Sequence, residues 1–92
     1  MQKNIYLTEK GLEIDLNDFS EVNAHLQSNN LLKADWEEIS EYQNLSEAFI
    51  EKYADKVNWT LISKYQKLSE PFIEKYADKV DWGEISEYQK LS

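Results

Sequence analysis

The chain predicts an α+β fold, mostly α: an N-terminal β-hairpin plus helix, then a short α-solenoid of two-helix repeats. Three observations carry this. Residues 36–58 recur as residues 59–81 with only six differences in 23 positions, and a third copy runs from Trp82 to Ser92. Apolar and polar residues alternate between residues 5 and 16, the period of a strand. From residue 18 onward the apolar spacing becomes that of helices. Residues 1–34 therefore form the hairpin-and-helix part. Residues 35–92 form two and a half repeats (36–58, 59–81, 82–92), and the two parts make one compact domain.

The hairpin spans residues 4–16. Ile5 and Leu7 flank Tyr6; Leu12, Ile14 and Leu16 alternate with Glu13 and Asp15. One apolar face results, formed by the two aliphatic sets. Thr8, Glu9, Lys10 and Gly11 make the turn, with Gly11 suited to a left-handed position at its end. An isolated hairpin is marginal, so its apolar face needs a partner. The next helix, about residues 18–28, presents Phe19, Val22 and Leu26 on one side. Asn17 or Asp18 caps its start, and Ser28, Asn29 and Asn30 end it.

Each repeat reads as two helices, A and B. Helix A begins at Trp36, Trp59 and Trp82, preceded by the N-cap residues Asp35, Asn58 and Asp81. Glu38 and Glu84 complete capping boxes in the first and third copies. Trp36, Ile39 and Tyr42 share one side. Ser46 and Ser69 cap helix B, and Pro71 sits in the first turn, where its missing N–H costs nothing. Phe49, Ile50, Tyr53, Ala54 and Val57 give helix B a broad buried stripe. Helices of roughly 8 and 11 residues are about 12 and 16 Å long. Neither is stable alone, so both depend on stacking.

The third copy stops where helix B would begin. Gly83, Glu84, Glu87 and Lys90 give it the polarity of a terminal cap. The alternative is an open end through which two molecules dimerise weakly.

Composition narrows the function. The net charge is −8, from 18 acids and 10 bases, and every base is lysine. Arginine forks, which read bases and phosphates, are absent. An acidic chain repels phosphate and attracts basic surfaces, although the same charge also serves solubility. No cysteine is present, so thiolate and disulfide chemistry are excluded. No apolar window fits a signal peptide or a membrane span, and the expected location is the cytosol.

Catalytic patterns are absent. The only histidine, His25, lies on the polar side of the first helix without a nucleophile pattern around it. Two glycines cannot build a phosphate loop, and no EF-hand spacing occurs. We expect no enzyme activity, cofactor or metal. The row Tyr42, Tyr65 and Tyr88, each followed by Gln43, Gln66 or Gln89, has the period of a stacking platform. Beside Trp and Ile it reads as core.

The differences between copies point to a surface. The six fall at 37/60, 38/61, 41/64, 44/67, 48/71 and 58/81, and every aromatic and aliphatic position of the first unit is kept. The first helix A carries Glu37, Glu38 and Glu41. The second carries Thr60, Leu61 and Lys64, with Lys67 following. The third carries Glu84 and Glu87. An acidic ridge is thus broken by a basic and apolar step, which counts against a smooth nucleic-acid mimic. Leu61 reads first as an ordinary exposed apolar residue and second as an apolar anchor. The helix B charges Glu51, Lys52, Asp55 and Lys56 recur as Glu74, Lys75, Asp78 and Lys79 and read as a solvated face.

The unit Trp-x-x-Ile-Ser-x-Tyr-Gln-x-Leu-Ser-x-x-Phe-Ile over residues 35–92 resembles short helical repeats of phage, prophage and large-DNA-virus proteins. The small, acidic, cysteine-free character is similar to that of phage inhibitors of host defence, anti-CRISPR proteins among them. That resemblance implies a non-enzymatic inhibitor docking on a basic nucleic-acid-handling host protein. Glu37, Glu38, Glu41, Glu84 and Glu87 would be its acidic contacts, with Leu61 and Lys64 in the interface. The competing reading is an adaptor module for protein–protein interaction. Neither reading involves direct nucleic-acid contact or a membrane.

Overall fold

Strands β1 (Ile5–Leu7) and β2 (Glu13–Asp15) pair antiparallel, with Tyr6 opposite Ile14. Our computed structural model describes residues 3–88. The turn closes as expected. Gly11 takes φ +84°, its N–H donates to the Thr8 carbonyl at 2.9 Å, and Thr8 Oγ1 accepts from the Leu12 N–H at 3.0 Å.

The buried face of β1 is the reverse of the expected one. Tyr6 and Thr8 are buried, while Ile5 and Leu7 are exposed. Register decides this: opposed residues share a face, and Ile14 in the second strand and Leu16 just after it are buried. Tyr6 therefore points inward with Ile14.

Helix α1 (Phe19–Gln27) starts at Asp18, whose side chain accepts from the Glu21 N–H. Val22 is fully buried, and Phe19 and Leu26 pack at the margin of the core. Phe19 lies 6.2 Å from Phe49 and 6.0 Å from Tyr53, ring centre to ring centre. The Tyr53 hydroxyl donates to Asn23 Oδ1 at 2.7 Å. The N-terminal part thus lies on the first repeat, and one hydrophobic cluster runs from Tyr6 to Ile85.

The repeats give helices α2 (Lys33–Tyr42), α3 (Glu47–Lys52), α4 (Trp59–Tyr65), α5 (Glu70–Lys75) and α6 (Trp82–Tyr88). Helices α2, α4 and α6 are the A helices, and α2 packs on α4 as α4 packs on α6. Helices α3 and α5 are the B helices. Ser46 and Ser69 cap them, and Pro71 lies in the first turn of α5.

Two further expectations need correction. Asp35 does not cap the first A helix. That helix begins two residues earlier, after Leu32, and Asp35 is fully buried in its first turn. Its carboxylate accepts the Tyr6 hydroxyl at 2.7 Å, the Glu9 N–H at 2.8 Å and the Leu32 N–H at 2.8 Å. Asn58 and Asp81 do cap their helices, accepting from the Leu61 and Glu84 N–H groups. The Glu38 and Glu84 capping boxes do not form. The N-cap N–H that Glu84 would receive goes to Ser63 instead.

The B helices are six residues long, about half the expected length. Tyr53 and Val57 are still buried, but residues 53–57 form a turn rather than a further coil of helix. The groups that would continue the helix are taken elsewhere. The Ala54 carbonyl accepts the Trp59 indole N–H at 2.8 Å, and the Asn58 N–H donates to Ser40 Oγ at 3.0 Å. The second unit repeats both bonds, with Trp82 on Ala77 and Asp81 on Ser63.

Side chains buried between repeats fix the stacking. Ser40 and Ser63 are fully buried and hold the start of the following A helix. Gln66 reaches back into the first unit. Its Oε1 accepts the Leu45 N–H at 3.1 Å, and its Nε2 donates to the carbonyls of Ser40 and Gln43. Glu47 accepts from the Ser69 N–H and hydroxyl, and Glu51 pairs with Lys75. The B-helix charges are therefore not a purely solvated face. Two of them tie α3 to α5.

Tyr6→Phe removes one of three bonds to a buried carboxylate and should cost about 1.5–3 kcal/mol in urea unfolding. Leu7→Thr, on the exposed face, should stay within about 0.5 kcal/mol. Gln66→Ala strands three buried backbone groups and should cost at least about 2 kcal/mol. Gln43→Ala, at the equivalent position of the first unit, should cost about 0.5 kcal/mol.

Candidate partner-binding face

Helix α2 buries Trp36, Ile39 and Ser40, and its remaining arc faces outward. On α2 that arc carries Glu37, Glu38, Glu41 and Tyr42. Residues three and four apart are neighbours on a helix, so 38, 41 and 42 form one ridge. Since α2, α4 and α6 are consecutive, equivalent positions line up in rows across them. One row is Glu38, Leu61 and Glu84. The next is Glu41, Lys64 and Glu87. The third is Tyr42, Tyr65 and Tyr88.

The tyrosine row is on the surface and not in the core as expected. Tyr42, Tyr65 and Tyr88 are 72 %, 47 % and 50 % exposed. Gln66 takes the buried place behind Tyr65. Gln89 lies outside the described residues, as does Lys90 of the expected terminal cap. Trp82, unlike Trp36, is half exposed.

The face is electrically coupled. Lys64 Nζ stands 5.2 Å from the Tyr65 ring centre and 5.5 Å from that of Tyr88. The Tyr65 hydroxyl first, then Tyr88 and Glu84, hold its pKa above the ordinary lysine value. The Tyr42 phenol is pushed up chiefly by its hydrogen bond with Glu41 and that residue's charge, with Tyr65 and Glu38 adding to it. Glu38 also has a raised pKa, from desolvation first and then from Glu9 on the hairpin turn. Burial, followed by the Asp35 hydrogen bond, pushes the Tyr6 phenol far above its usual range, so it stays protonated as the donor.

The structure therefore places Glu38, Glu41, Lys64 and Glu84 within one interacting patch with the tyrosines. Leu61 is half-buried in the same row. Glu37, next to Glu41 on the outward arc, and Glu87 are exposed and extend the patch at its edges. Glu84 has one carboxylate oxygen that is buried without a hydrogen-bond partner.

Other surfaces carry less. A groove of about 330 Å³ between α3 and α5 is lined by Glu47, Glu51, Ser69, Phe72 and Lys75. Its polar groups are already engaged with one another. His25 pairs with Asn30 at 3.1 Å on its own helix end. Among the described residues no group of acids and histidines is placed to hold a metal. No helix among them is long and apolar enough to cross a membrane.

No protein-family model, curated protein or solved structure matches the chain.

The Glu9–Glu38 contact gives a pH signature. Glu38 is more easily protonated in the folded state, so its ionisation works against folding. That penalty is absent below the unfolded pKa and develops as pH rises through the folded value. Glu38→Gln should therefore melt at a higher temperature than the parent near pH 7. The gap should close below about pH 3.5, where Glu38 is protonated in the folded and unfolded states alike.

Proposed function

We propose that the chain is a non-enzymatic binding module that docks through its A-helix face on a basic, nucleic-acid-handling host protein and blocks it. In this reading the repeats stack as a short solenoid, and the protein works in the host cytosol. Its action is of the kind carried out by small phage inhibitors such as anti-CRISPR or anti-restriction proteins. The observation that supports it is the patch itself, in which Glu38, Glu41 and Glu84 share one surface with three exposed tyrosines. Tyrosine supplies contact area at low entropic cost, and carboxylates steer a basic partner. Phosphate is repelled by the same charge, so the module acts on the protein and not on its nucleic acid.

The alternative is an adaptor in which charge only maintains solubility. The engaged, mixed-charge groove between α3 and α5 favours it, because that surface presents little net field.

Salt and charge reversal separate the two. The test is cleavage of DNA by purified CRISPR effectors and restriction enzymes, with and without the chain. Inhibition should appear at low salt and weaken by about tenfold or more as ionic strength rises to 0.5 M. Combined Glu37→Lys, Glu38→Lys and Glu41→Lys substitutions should abolish it. Binding of a protein partner that survives both changes supports the adaptor.

A further inference from the structure

One step of the A-helix face contains its own cation, and the step before it does not. Lys64 lies over the rings of Tyr65 and Tyr88, on its own helix and the next. The repeat places Glu41 at the equivalent point of the first step, between Tyr42 and Tyr65. Both steps have a tyrosine on either side, and Glu38 of the first stands where the second has Leu61. Among the described residues no lysine lies over Tyr42. The first step therefore has a tyrosine on either side, of which Tyr65 also carries Lys64, and two carboxylates, Glu38 and Glu41, with no lysine over Tyr42.

We propose that this first step is a docking slot for an arginine side chain on an exposed basic segment of the partner protein. The proposal rests on the acidic-face reading above and names what that face recognises. Lys64 supplies the evidence that the framework accepts a side-chain cation: where the chain provides one, it settles between the two tyrosines. Arginine suits the vacant step better than lysine. Its planar guanidinium stacks on an aromatic face while its fork pairs with a carboxylate. Packed helices stand about 8–10 Å apart, so tyrosines on neighbouring helices can bracket one planar group. Glu38 and Glu41 also disfavour any phosphate-bearing ligand there.

Two exchanges test this in opposite directions. Glu41→Lys fills the first step with a built-in lysine at the point where the second has Lys64. Lys64→Glu removes the cation of the second step and puts a carboxylate where the first has Glu41. The probe is an end-capped Gly/Ser peptide carrying three arginines, titrated into the full chain and followed by amide chemical shifts. The same peptide with three glutamines is the control.

Shifts should centre on residues 38–42 and 61–65. Glu41→Lys should weaken binding about tenfold, the combined loss of a cation–π contact and an exposed ion pair. Lys64→Glu should strengthen it about threefold or more. Tyr42→Ala should weaken it about threefold while Tyr42→Phe keeps most of it. Glu74→Lys, an equal charge change on α5, should alter it by less than about twofold. Melting curves of the four face variants close to the parent's would show that the fold is kept.

Equal weakening by Glu41→Lys and Glu74→Lys would overturn the slot, and so would shifts spread over all acidic surfaces. Either result would leave general acidic docking standing. No arginine-dependent binding even at low salt would overturn the slot and the acidic-docking reading together.

Discussion

The rest of the structure depends on one hydroxyl per repeat. Ser40 is buried at the back of α2, where its own hydroxyl donates to the Trp36 carbonyl at 2.7 Å and accepts the N–H that opens the next A helix at 3.0 Å. Ser63 accepts from the third helix in the same way. The bond ends the preceding turn, starts the next helix and fixes the register between them. Because it is buried, leaving its partner unpaired would cost more than the bond is worth in water. A fixed register is what converts a sequence repeat into rows of side chains. Glu38, Leu61 and Glu84 line up because consecutive A helices cannot slide.

The same bond explains the short B helices and the exposed tyrosines. With the Asn58 N–H on Ser40 and the Ala54 carbonyl on the Trp59 indole, the helix begun at Glu47 cannot run on into the next A helix. The chain turns, Val57 closes the core, and the Trp59 indole takes the Ala54 carbonyl. On helix A the buried arc is filled by Trp, Ile and Ser, and Gln66 occupies the space behind Tyr65. Tyrosine is left on the outward arc. Aromatic packing inside each unit comes instead from Trp36 with Phe49 and Tyr53, and from Trp59 with Phe72 and Tyr76.

Much of this was legible in the sequence. The repeat gave the count and order of helices, Gly11 marked the hairpin, and Ser46, Asn58, Ser69 and Asp81 marked helix starts. Local hydrogen-bond chemistry suffices for such signals. The misreadings share another cause: the deciding partner was distant in the chain. Asp35 has the look of an N-cap, yet it faces Tyr6 and the Glu9 N–H across the fold. Tyr6 looked like the odd residue between two aliphatics until its pairing with Ile14 was known. Gln43 and Gln66 occupy equivalent positions of the repeat, and of the two only Gln66 has an earlier repeat to reach. Of the candidate site, the charged members were visible as the positions where copies differ. The tyrosines were hidden because they do not differ.

That contrast also bears on function. A duplication copies core and surface alike, so two steps of the face would begin the same. In this chain every aromatic, leucine, isoleucine and valine position of the first unit is retained, while Glu41 and Lys64 have opposite charges at one equivalent point. The tyrosines on either side are unchanged. A change that served solubility alone would not add a cation to an acidic chain between two rings, where it makes two cation–π contacts. Such contacts at exposed sites are worth about 0.5–1 kcal/mol each, small for stability but enough to decide whether a site is occupied. The second step is closed by its own lysine, and the first remains open with its carboxylates in place. The face is therefore polarised along the stack, with its lysine-free, acidic end beside the hairpin turn that carries Glu9.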